Sequence, residues 1–145
     1  MAEEKKVVIV SACLLGENCK YNGGNNYNEK VLRFLEGCTV IPVCPEVLGG
    51  LPTPRTSAEL VNGRVIMKDG TDVDAQFREG ARRALQKAKE AGATLAILQS
   101  RSPSCGVNRR YDGTFTGVTV PGRGVFAELL RENGIEAIDC EDIVG

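Results

Sequence analysis

Three apolar runs in this chain are each followed within a few residues by a cysteine, and this repeated arrangement constrains the fold more than any other feature. The runs are rich in β-branched residues and span 7–10, 39–43 and 94–98. Runs of this length are typical of strands that are buried on both faces of a parallel sheet. Cys13, Cys44 and Cys105 would then lie near the carboxyl ends of three strands, which is where ligands bind in open α/β sheets.

Helical patterns separate these strands. The clearest helix is predicted over 73–91, where apolar residues recur at helical spacing and Gly92 ends the pattern. Shorter helices are predicted over 28–36, with Asn28 as N-cap, and over 124–132. A weaker strand over 64–67 and a closing strand over 135–138 complete the pattern. The alternation predicts the α/β class, with a largely parallel sheet, helices on both faces and a site at the carboxyl ends of the strands.

The connecting segments are rich in glycine, asparagine and proline. Residues 16–28 and 49–57 are therefore predicted as loops, and residues 111–117 as a hairpin-like stretch. Pro42 has no N–H group to donate, so its strand is predicted to lie near an edge of the sheet, or Pro42 near the end of the strand. Neither a linker nor a repeat interrupts the pattern, and we expect residues 1–145 to form a single domain.

The composition limits the classes of function. The chain has six cysteines, no histidine and a formal net charge of -1, so it presents no basic field and no nucleic-acid partner is expected. No run approaches the roughly 20 apolar residues of a membrane span, and residues 1–6 lack the apolar stretch of a secretion signal. We therefore expect a cytoplasmic protein without a membrane partner, whose cysteines are ligands, catalytic groups or core residues rather than disulfides.

The cysteines differ in their surroundings. Cys38 and Cys140 lie beside predicted strands and fit the ordinary interpretation of a small core residue. Cys13, Cys44 and Cys105 lie in segments that contain glycine or proline. If these segments converge, they offer a metal three thiolates and no nitrogen ligand, because the chain has no histidine. Such a donor set favours an iron–sulfur centre with one iron that the protein does not bind.

Alternatives stay open at this point. Cys19 lies in the loop after Cys13 and is a rival ligand. Zinc is a rival metal, although the chain contains no Cys-x-x-Cys pair. The chain would then be a non-catalytic zinc- or cluster-binding module. A further alternative is a plain nucleotide-binding α/β domain in which the cysteines belong to the core.

A set of motifs narrows the interpretation. They surround the three cysteines and the loops between them, in order along nearly the whole chain: Ser11-Ala12-Cys13-Leu14-Leu15-Gly16, Lys20-Tyr21 with Gly23-Gly24, Cys44-Pro45-Glu46-Val47, Gly50-Leu51-Pro52-Thr53-Pro54-Arg55, Ser102-Pro103-Ser104-Cys105-Gly106 and Thr114-Phe115-Thr116-Gly117. With these motifs the chain resembles the thiouracil desulfidase family in its short, stand-alone form. Longer relatives, which carry an additional domain and act on thiolated tRNA, are not matched.

The resemblance implies a single α/β domain with a [4Fe-4S] cluster as cofactor, held by Cys13, Cys44 and Cys105. The fourth iron is left open and takes the sulfur of the substrate. The resemblance also implies an acid/base pair, Glu46 and Ser102. The reaction it implies converts a thiouracil or a thiouracil nucleotide to the uracil compound and releases sulfide. We favour 4-thiouridine monophosphate, as a salvage substrate, over the free base.

The residue types suit this chemistry. A thiocarbonyl sulfur and a cluster iron are both soft, so the iron is a matched Lewis acid. Water must then attack the polarised carbon, and without histidine the base is expected to be a carboxylate. For Glu46 we expect a pKa that apolar or anionic surroundings raise. Ser102 is expected to pass a proton along a short hydrogen-bonded path. Since no net electron transfer is required, hydrolysis is predicted.

Six residues are predicted to contact the substrate: Asn22, Gly23, Gly24, Arg101, Gly122 and Gly124. The last two open the final helix, whose free N–H groups can hold an anion such as a phosphate. The first three can form a second backbone cradle, and the arginine can pair with a nucleotide phosphate. Ordinary turns and a solvated charged surface are the alternative at these places.

The chain departs from the pattern of the family at three positions. The family is expected to have Asp where Asn22 stands, often His near Asn25, and Lys where Gln99 stands. These differences concern contacts with the substrate. They leave the three cysteines and Glu46 unchanged.

Overall fold

The described part of the chain comprises eight strands and four α-helices. The computed structural model describes residues 6–143. The prediction that residues 1–6 are not a secretion signal therefore falls almost entirely outside the described residues. The strands are β1 (Val7–Ser11), β2 (Thr39–Val43), β3 (Ala58–Val61), β4 (Arg64–Met67), β5 (Leu95–Leu98), β6 (Arg109–Tyr111), β7 (Thr119–Pro121) and β8 (Glu136–Asp139). The helices are α1 (Glu29–Phe34), α2 (Pro45–Leu48), α3 (Asp74–Ala91) and α4 (Val125–Glu132).

The central sheet is parallel throughout, in the order β2-β1-β5-β8. The prediction of an α/β domain with a parallel sheet is confirmed, and Pro42 lies on the edge strand β2 as predicted. Because β2, β1 and β5 are neighbours, the segments that follow them leave the sheet side by side. After β1, the chain forms β2 on one side of that strand and later β5 on the other side. This change of side leaves a crevice at the carboxyl edge of the sheet.

Helices cover both faces of the sheet, as predicted. One face packs against α3 and α4 through residues such as Phe77 and Phe126, which are almost fully buried. The other face packs against α1, whose Val31 joins one buried cluster with the side chains of β1 that point to this face. The Asn28 side chain accepts a hydrogen bond from the Val31 N–H at 3.2 Å, and so caps α1 as predicted. Within residues 6–143, no helix combines the length and apolar composition that a membrane crossing requires.

The short helix α2 is held against α3 by a very close approach of their backbones. A Cβ atom added at Gly80 of α3 would lie 1.7 Å from the carbonyl oxygen of Pro45, and one added at Gly49 would lie 2.0 Å from that of Gln76. Only glycine fits at these two positions. The contact fixes the place of α2, which begins directly after Cys44 and carries Glu46.

Two antiparallel hairpins lie outside the central sheet. β4 was predicted, whereas its partner β3 was not, because Glu59 interrupts an otherwise apolar run of only four residues. The second hairpin pairs β6 with β7 and encloses the hairpin-like stretch predicted over 111–117. The close packing of the second hairpin on the first brings its connecting loop, 112–118, beside β3. A Cβ atom added at Gly113 would lie 2.6 Å from the carbonyl oxygen of Leu60.

Candidate functional site

A cavity of about 540 Å³ opens at the carboxyl edge of the parallel sheet. Its lining includes the thiols of four cysteines: Cys13, Cys19, Cys44 and Cys105. The first follows β1 in a short 3-10 helix, the third is the N-cap residue of α2, and the last lies in the loop after β5. The structure therefore brings together the three cysteines that the sequence singles out. All six cysteines of the chain are free thiols.

Cys19 belongs to the same group of thiols. The Cys44 thiol lies 3.9 Å from the carbonyl oxygen of Cys19. The neighbouring Cys19 thiol lowers the pKa of the Cys13 thiol and lowers that of Cys44 to about 7, since a donor close to a thiolate favours the thiolate. The same neighbours, together with burial, raise the pKa of the Cys19 thiol. Both lowered pKa values shift Cys13 and Cys44 towards the thiolate, which is the form that binds metals.

The other contacts of the thiols come from neutral donors. The Asn26 side-chain amide donates to the Cys13 sulfur at 3.4 Å, and the Ser104 hydroxyl lies 3.7 Å from the sulfur of Cys105. Burial raises the pKa of the Cys105 thiol, against hydrogen bonds from Ser11 and Ser104 that lower it. Sulfur atoms in this cavity are therefore surrounded by hydrogen-bond donors of the kind that tune a metal–thiolate centre.

Glu46 lines the cavity two residues after Cys44, and its main partner is Arg55. The Arg55 Nε atom lies 3.0 Å from Oε1 of the carboxylate, and the two side chains are 4% and 14% exposed, respectively. The sequence predicts apolar or anionic surroundings for Glu46, and that prediction is wrong in this respect. Opposite charges at this distance attract strongly when they are shielded from water, so the ion pair fixes the position of the carboxylate.

A chain of hydroxyl groups leads away from the second carboxylate oxygen. Ser104 donates to Oε2 of Glu46 at 2.9 Å, and its oxygen lies 3.0 Å from that of Ser102. A carboxylate only accepts hydrogen bonds, so Ser104 donates to Glu46 and accepts from Ser102. The Ser102 oxygen also accepts the N–H groups of Ser104 and Cys105, each at 3.1 Å. The predicted acid/base pair is therefore connected, but through Ser104 rather than directly.

Arg55 joins three segments of the site. Besides Glu46, its guanidinium donates to the carbonyl oxygen of Cys19 at 2.8 Å and to that of Pro52 at 3.2 Å. Its own N–H donates to the Tyr21 carbonyl oxygen at 2.6 Å. The sequence shows Arg55 only as the end of a motif, and its contacts to Glu46 of α2 and to the loop of Cys19 and Tyr21 could not be inferred, because these segments are distant in sequence.

The predicted anion-binding backbone groups are already engaged. At the start of α4, the N–H groups of 124–127 donate to carbonyl oxygens of the third cysteine loop, at Gly106, Pro103 and Ser104. A Cβ atom at Gly124 would collide with that loop. The expectation of free N–H groups there is wrong, because the helix end packs on the loop. Neither Gly122 nor Gly124 is among the residues that line the cavity.

The loop over 22–24 is likewise closed on itself. The Gly23 N–H donates to the Lys20 carbonyl oxygen at 2.8 Å, and the Gly24 N–H donates to the side chain of Asn22 at 2.9 Å. None of the three predicted residues in this loop lines the cavity. Their amide groups serve the loop's own turn, so the predicted backbone cradle is not seen.

Arg101 does line the cavity, but its guanidinium is paired with Glu141 at 2.8 Å on the exposed surface. Of the three positions that depart from the family pattern, only Gln99 lines the cavity. Its N–H donates to the Ser11 hydroxyl at 3.0 Å. Lys20 and Lys68 also belong to the lining, and the sequence did not single out the second of them.

The hairpins supply a second part of the lining that the sequence did not predict. Glu59 of β3, Tyr111 of β6 and Phe115 of the loop after β6 all face the cavity. The one signal in the sequence was Glu59, a lone carboxylate within an apolar run, since such a residue is seldom buried without partners. It is 8% exposed in the structure.

The donor set of the cavity fits a polynuclear iron–sulfur group. Cys13, Cys44 and Cys105 come from three separate segments and offer sulfur alone, which matches the ligands that iron–sulfur clusters take. Among residues 6–143, no three His, Cys, Asp or Glu side chains are close enough together to hold a single metal ion. In a cluster with three protein ligands, each thiolate binds its own iron, so the thiols do not have to meet at one point.

Known proteins are similar to this chain in sequence and in fold. Residues 8–142 match the sequence profile of the 2-thiouracil desulfurase family. The uncharacterized protein YbbK of Bacillus subtilis (strain 168) is 38% identical over 147 aligned positions, which cover 94% of this chain and 97% of that protein. Among solved structures, the [4Fe-4S]-dependent thiouracil desulfidase TudS is 42% identical, with a TM-score of 0.90 over 96% of this chain and 93% of that one. The chain therefore belongs to the 2-thiouracil desulfurase family.

Proposed function

We propose that this protein hydrolyses thiolated uracil compounds to the uracil compound and sulfide, without net electron transfer, and that a [4Fe-4S] cluster is its cofactor. The observation that carries the proposal is that three thiols and a carboxylate–hydroxyl chain line one cavity at the carboxyl edge of the sheet. The match to a [4Fe-4S]-dependent thiouracil desulfidase over nearly the whole chain supports the choice of substrate and cofactor.

Cys13, Cys44 and Cys105 would hold the cluster, each through its sulfur. When bound, the cluster supplies an iron that has no protein ligand, a soft Lewis acid suited to the thiocarbonyl sulfur of the substrate. Cys19 remains a rival ligand, since it lines the same cavity. We assign it no iron in this proposal, because the family resemblance places the ligands at the other three cysteines.

Glu46 is the base in this proposal. Its carboxylate lies on the cavity lining, and Arg55 fixes the carboxylate by a hydrogen bond of 3.0 Å. Glu46 accepts one proton from water as the oxygen of that water forms the new carbon–oxygen bond and the C=S double bond becomes a single bond. The carbon–sulfur single bond then breaks with its electron pair going to sulfur, the remaining O–H proton is released as the C=O double bond forms, and the sulfur takes up a proton and leaves as hydrosulfide. One water is consumed for each sulfide, so the balance needs neither an oxidant nor a reductant.

Ser102 and Ser104 serve the proton in this scheme. Ser104 donates to Glu46 and accepts from Ser102 while the carboxylate is ionised. Once Glu46 has taken up a proton it can donate to Ser104, and with both hydroxyls reversed Ser102 can donate a proton towards the leaving sulfur. Geometry of this kind, with heavy atoms about 2.6–3.2 Å apart, is what general acid–base catalysis requires. The acid/base pair thus becomes a three-residue path.

The preferred substrate is 4-thiouridine monophosphate, a salvage compound, rather than the free base. The cavity of about 540 Å³ has Lys20 and Lys68 in its lining beside the thiols, and a nucleotide phosphate needs such cations. The partner is a small molecule and not a nucleic acid, in keeping with the net charge of -1. We place residues 1–145 in one desulfidase domain and the reaction in the cytoplasm, where thiols stay reduced.

The test is an anaerobic assay of the protein after cluster reconstitution. We expect the thiocarbonyl absorbance of 4-thiouridine monophosphate to disappear while an equal amount of sulfide is released. Release of sulfide only when a reductant is added would contradict hydrolysis. Equal kcat/KM values for the nucleotide and for free 4-thiouracil would overturn the preference for the nucleotide, and a colourless protein that binds zinc alone would overturn the cofactor.

A further inference from the structure

The backbone of Phe115 adopts a left-handed conformation, with a φ angle of 58°. This conformation is uncommon for any residue other than glycine and is an outlier for a bulky side chain. It persists only where the surroundings hold it in place, and such residues concentrate at ligand-binding sites. Phe115 lies in the loop between β6 and β7 and is one of the residues that line the same cavity as the four cysteines.

A buried carboxylate holds the loop in this conformation. Oε1 of Glu59 accepts the N–H of Gly113 at 3.0 Å and the N–H of Phe115 at 3.1 Å. Glu59 is 8% exposed and lies on β3, in the other hairpin. A single oxygen atom of Glu59, on the neighbouring strand β3, thus holds the backbone of Phe115 in place.

Gly113 adds a second restraint two residues earlier. Its φ angle is 92°, and its Cα packs so closely on the backbone of β3 that a Cβ atom there would lie 2.6 Å from the Leu60 carbonyl oxygen. The loop therefore rests on the first hairpin at two points. An aromatic ring on a restrained loop is a preorganised contact surface, which costs little conformational entropy when a ligand binds.

We propose that the ring of Phe115 stacks on the pyrimidine ring of the substrate, and that Glu59 is the positioning residue that keeps Phe115 in place. The inference rests on the proposed function, which supplies a flat, conjugated ring as the ligand. Bases stack on aromatic side chains through their π faces. Stacking of the pyrimidine on Phe115 restricts the direction in which the carbon–sulfur bond points within the cavity.

The first experiment measures ligand binding and turnover in Phe115 variants. We would titrate the reconstituted protein anaerobically with uracil and with uridine 5′-monophosphate by calorimetry, and measure kcat and KM for 4-thiouridine monophosphate. Phe115→Ala should weaken binding and raise KM by about 10- to 100-fold, whereas Phe115→Tyr should keep both near the original values. Val118→Ala is the matched control, since Val118 is an exposed residue of the same loop and is not part of the cavity lining.

The second experiment separates positioning from charge at Glu59. The side-chain carbonyl of Glu59→Gln can still accept the two N–H groups, so this variant should keep wild-type KM. Glu59→Ala loses the acceptor and should raise KM as Phe115→Ala does. In the double variant Glu59→Ala/Phe115→Ala, the two effects should not add, because Glu59 acts through Phe115. Iron content should stay unchanged in every variant.

The outcomes distinguish this inference from the proposed function. Unchanged binding and KM in Phe115→Ala would overturn the stacking while sulfide release continued. Additive effects of Glu59→Ala and Phe115→Ala would overturn the positioning role. If the protein binds uridine 5′-monophosphate through Phe115 but releases no sulfide from the thio compound, the proposed function fails and the stacking stands. Failure of the unsubstituted protein to bind any uracil compound would overturn the stacking itself.

Discussion

The lining of the cavity has two parts that are built in different ways. The first, which we call the thiol wall, consists of Cys13, Cys19, Cys44 and Cys105 and follows the ends of adjacent parallel strands. The second, the hairpin wall, consists of Glu59, Tyr111 and Phe115 and comes from two antiparallel hairpins outside the central sheet. The thiol wall is placed by backbone pairing deep in the sheet, and the hairpin wall by side-chain contacts to one loop.

This difference separates two tasks. The sheet fixes groups that must meet at one place, because three neighbouring strands deliver them to a common edge. The hairpins add a contact surface whose shape depends on a few hydrogen bonds, such as those from Gly113 and Phe115 to Glu59. Substitutions in the thiol wall should therefore change cofactor content, and those in the hairpin wall should change KM.

Removal of a proposed cluster ligand should have the largest effect. Cys13→Ala, Cys44→Ala and Cys105→Ala should each lose bound iron and acid-labile sulfide together with activity, because a cluster with two protein ligands is poorly held. Iron and sulfide counts on anaerobically reconstituted protein provide the measurement. Cys38→Ala and Cys140→Ala are the matched controls and should keep both, since neither residue lines the cavity. A full cluster in Cys13→Ala would require a different ligand, with Cys19 as the first candidate.

Loss of the Glu46 carboxylate should stop turnover and leave the cluster in place. Glu46→Gln keeps the size of the side chain and one acceptor oxygen for Arg55, but its amide nitrogen cannot accept the Ser104 hydroxyl and it cannot take up a proton at neutral pH. We expect kcat to fall by about 100- to 10,000-fold, with the iron content unchanged. The control is Glu17→Gln, at an exposed position outside the cavity lining. Normal turnover in Glu46→Gln would mean that another group is the base.

The hydroxyl path should have an intermediate effect. Ser104→Ala removes the hydroxyl that connects Glu46 with Ser102, and loss of one such buried hydrogen-bonding group costs about 1–3 kcal/mol. We therefore expect kcat to fall by about 10- to 100-fold. If the path acts as one unit, Ser102→Ala and the double variant should show about the same loss as Ser104→Ala. Independent, multiplying effects of the two serines in steady-state kinetics would rule out a single path.

A change in the loop that carries Phe115 of the hairpin wall should have the smallest effect, and it should alter KM rather than kcat or iron content. An alanine at Gly113 would collide with the Leu60 carbonyl oxygen and should shift the loop that carries Phe115. We expect a KM several times higher, with iron content and kcat nearly unchanged. Gly70→Ala is the matched control, because Gly70 has the same φ angle of 92°, meets no atom within 4 Å and is not part of the cavity lining. Equal KM values for the two variants would show that the approach of Gly113 to β3 is unimportant.

The sequence predicted the thiol wall well and the hairpin wall hardly at all. Buried parallel strands leave a strong local pattern, and the topology of such sheets says where their ends lie, so Cys13, Cys44 and Cys105 could be grouped without a structure. The short strand β3 leaves no such pattern, because a charged residue stands in its middle. The left-handed conformation of Phe115 depends on an acceptor 56 residues away in sequence.

The electrostatics of the site were beyond prediction for a related reason. Glu46 could be identified by its distance from Cys44 along the chain, but its guanidinium partner comes from a loop whose path is set by tertiary contacts. The start of α4 shows the same limit. Its sequence predicts free N–H groups, and only the packed structure shows that the carbonyl oxygens of the third cysteine loop accept them.

The order of the thiol donors along the chain bears on when the site can exist during synthesis. Cys105 leaves the ribosome long after Cys13, by about 5–20 s at ordinary rates of translation. Strand β5, which precedes Cys105, is paired on one side by β8, which is synthesised later. A nascent chain that lacks β8 therefore offers at most part of a binding site. Delivery of iron and sulfide is expected to follow the synthesis and pairing of β8.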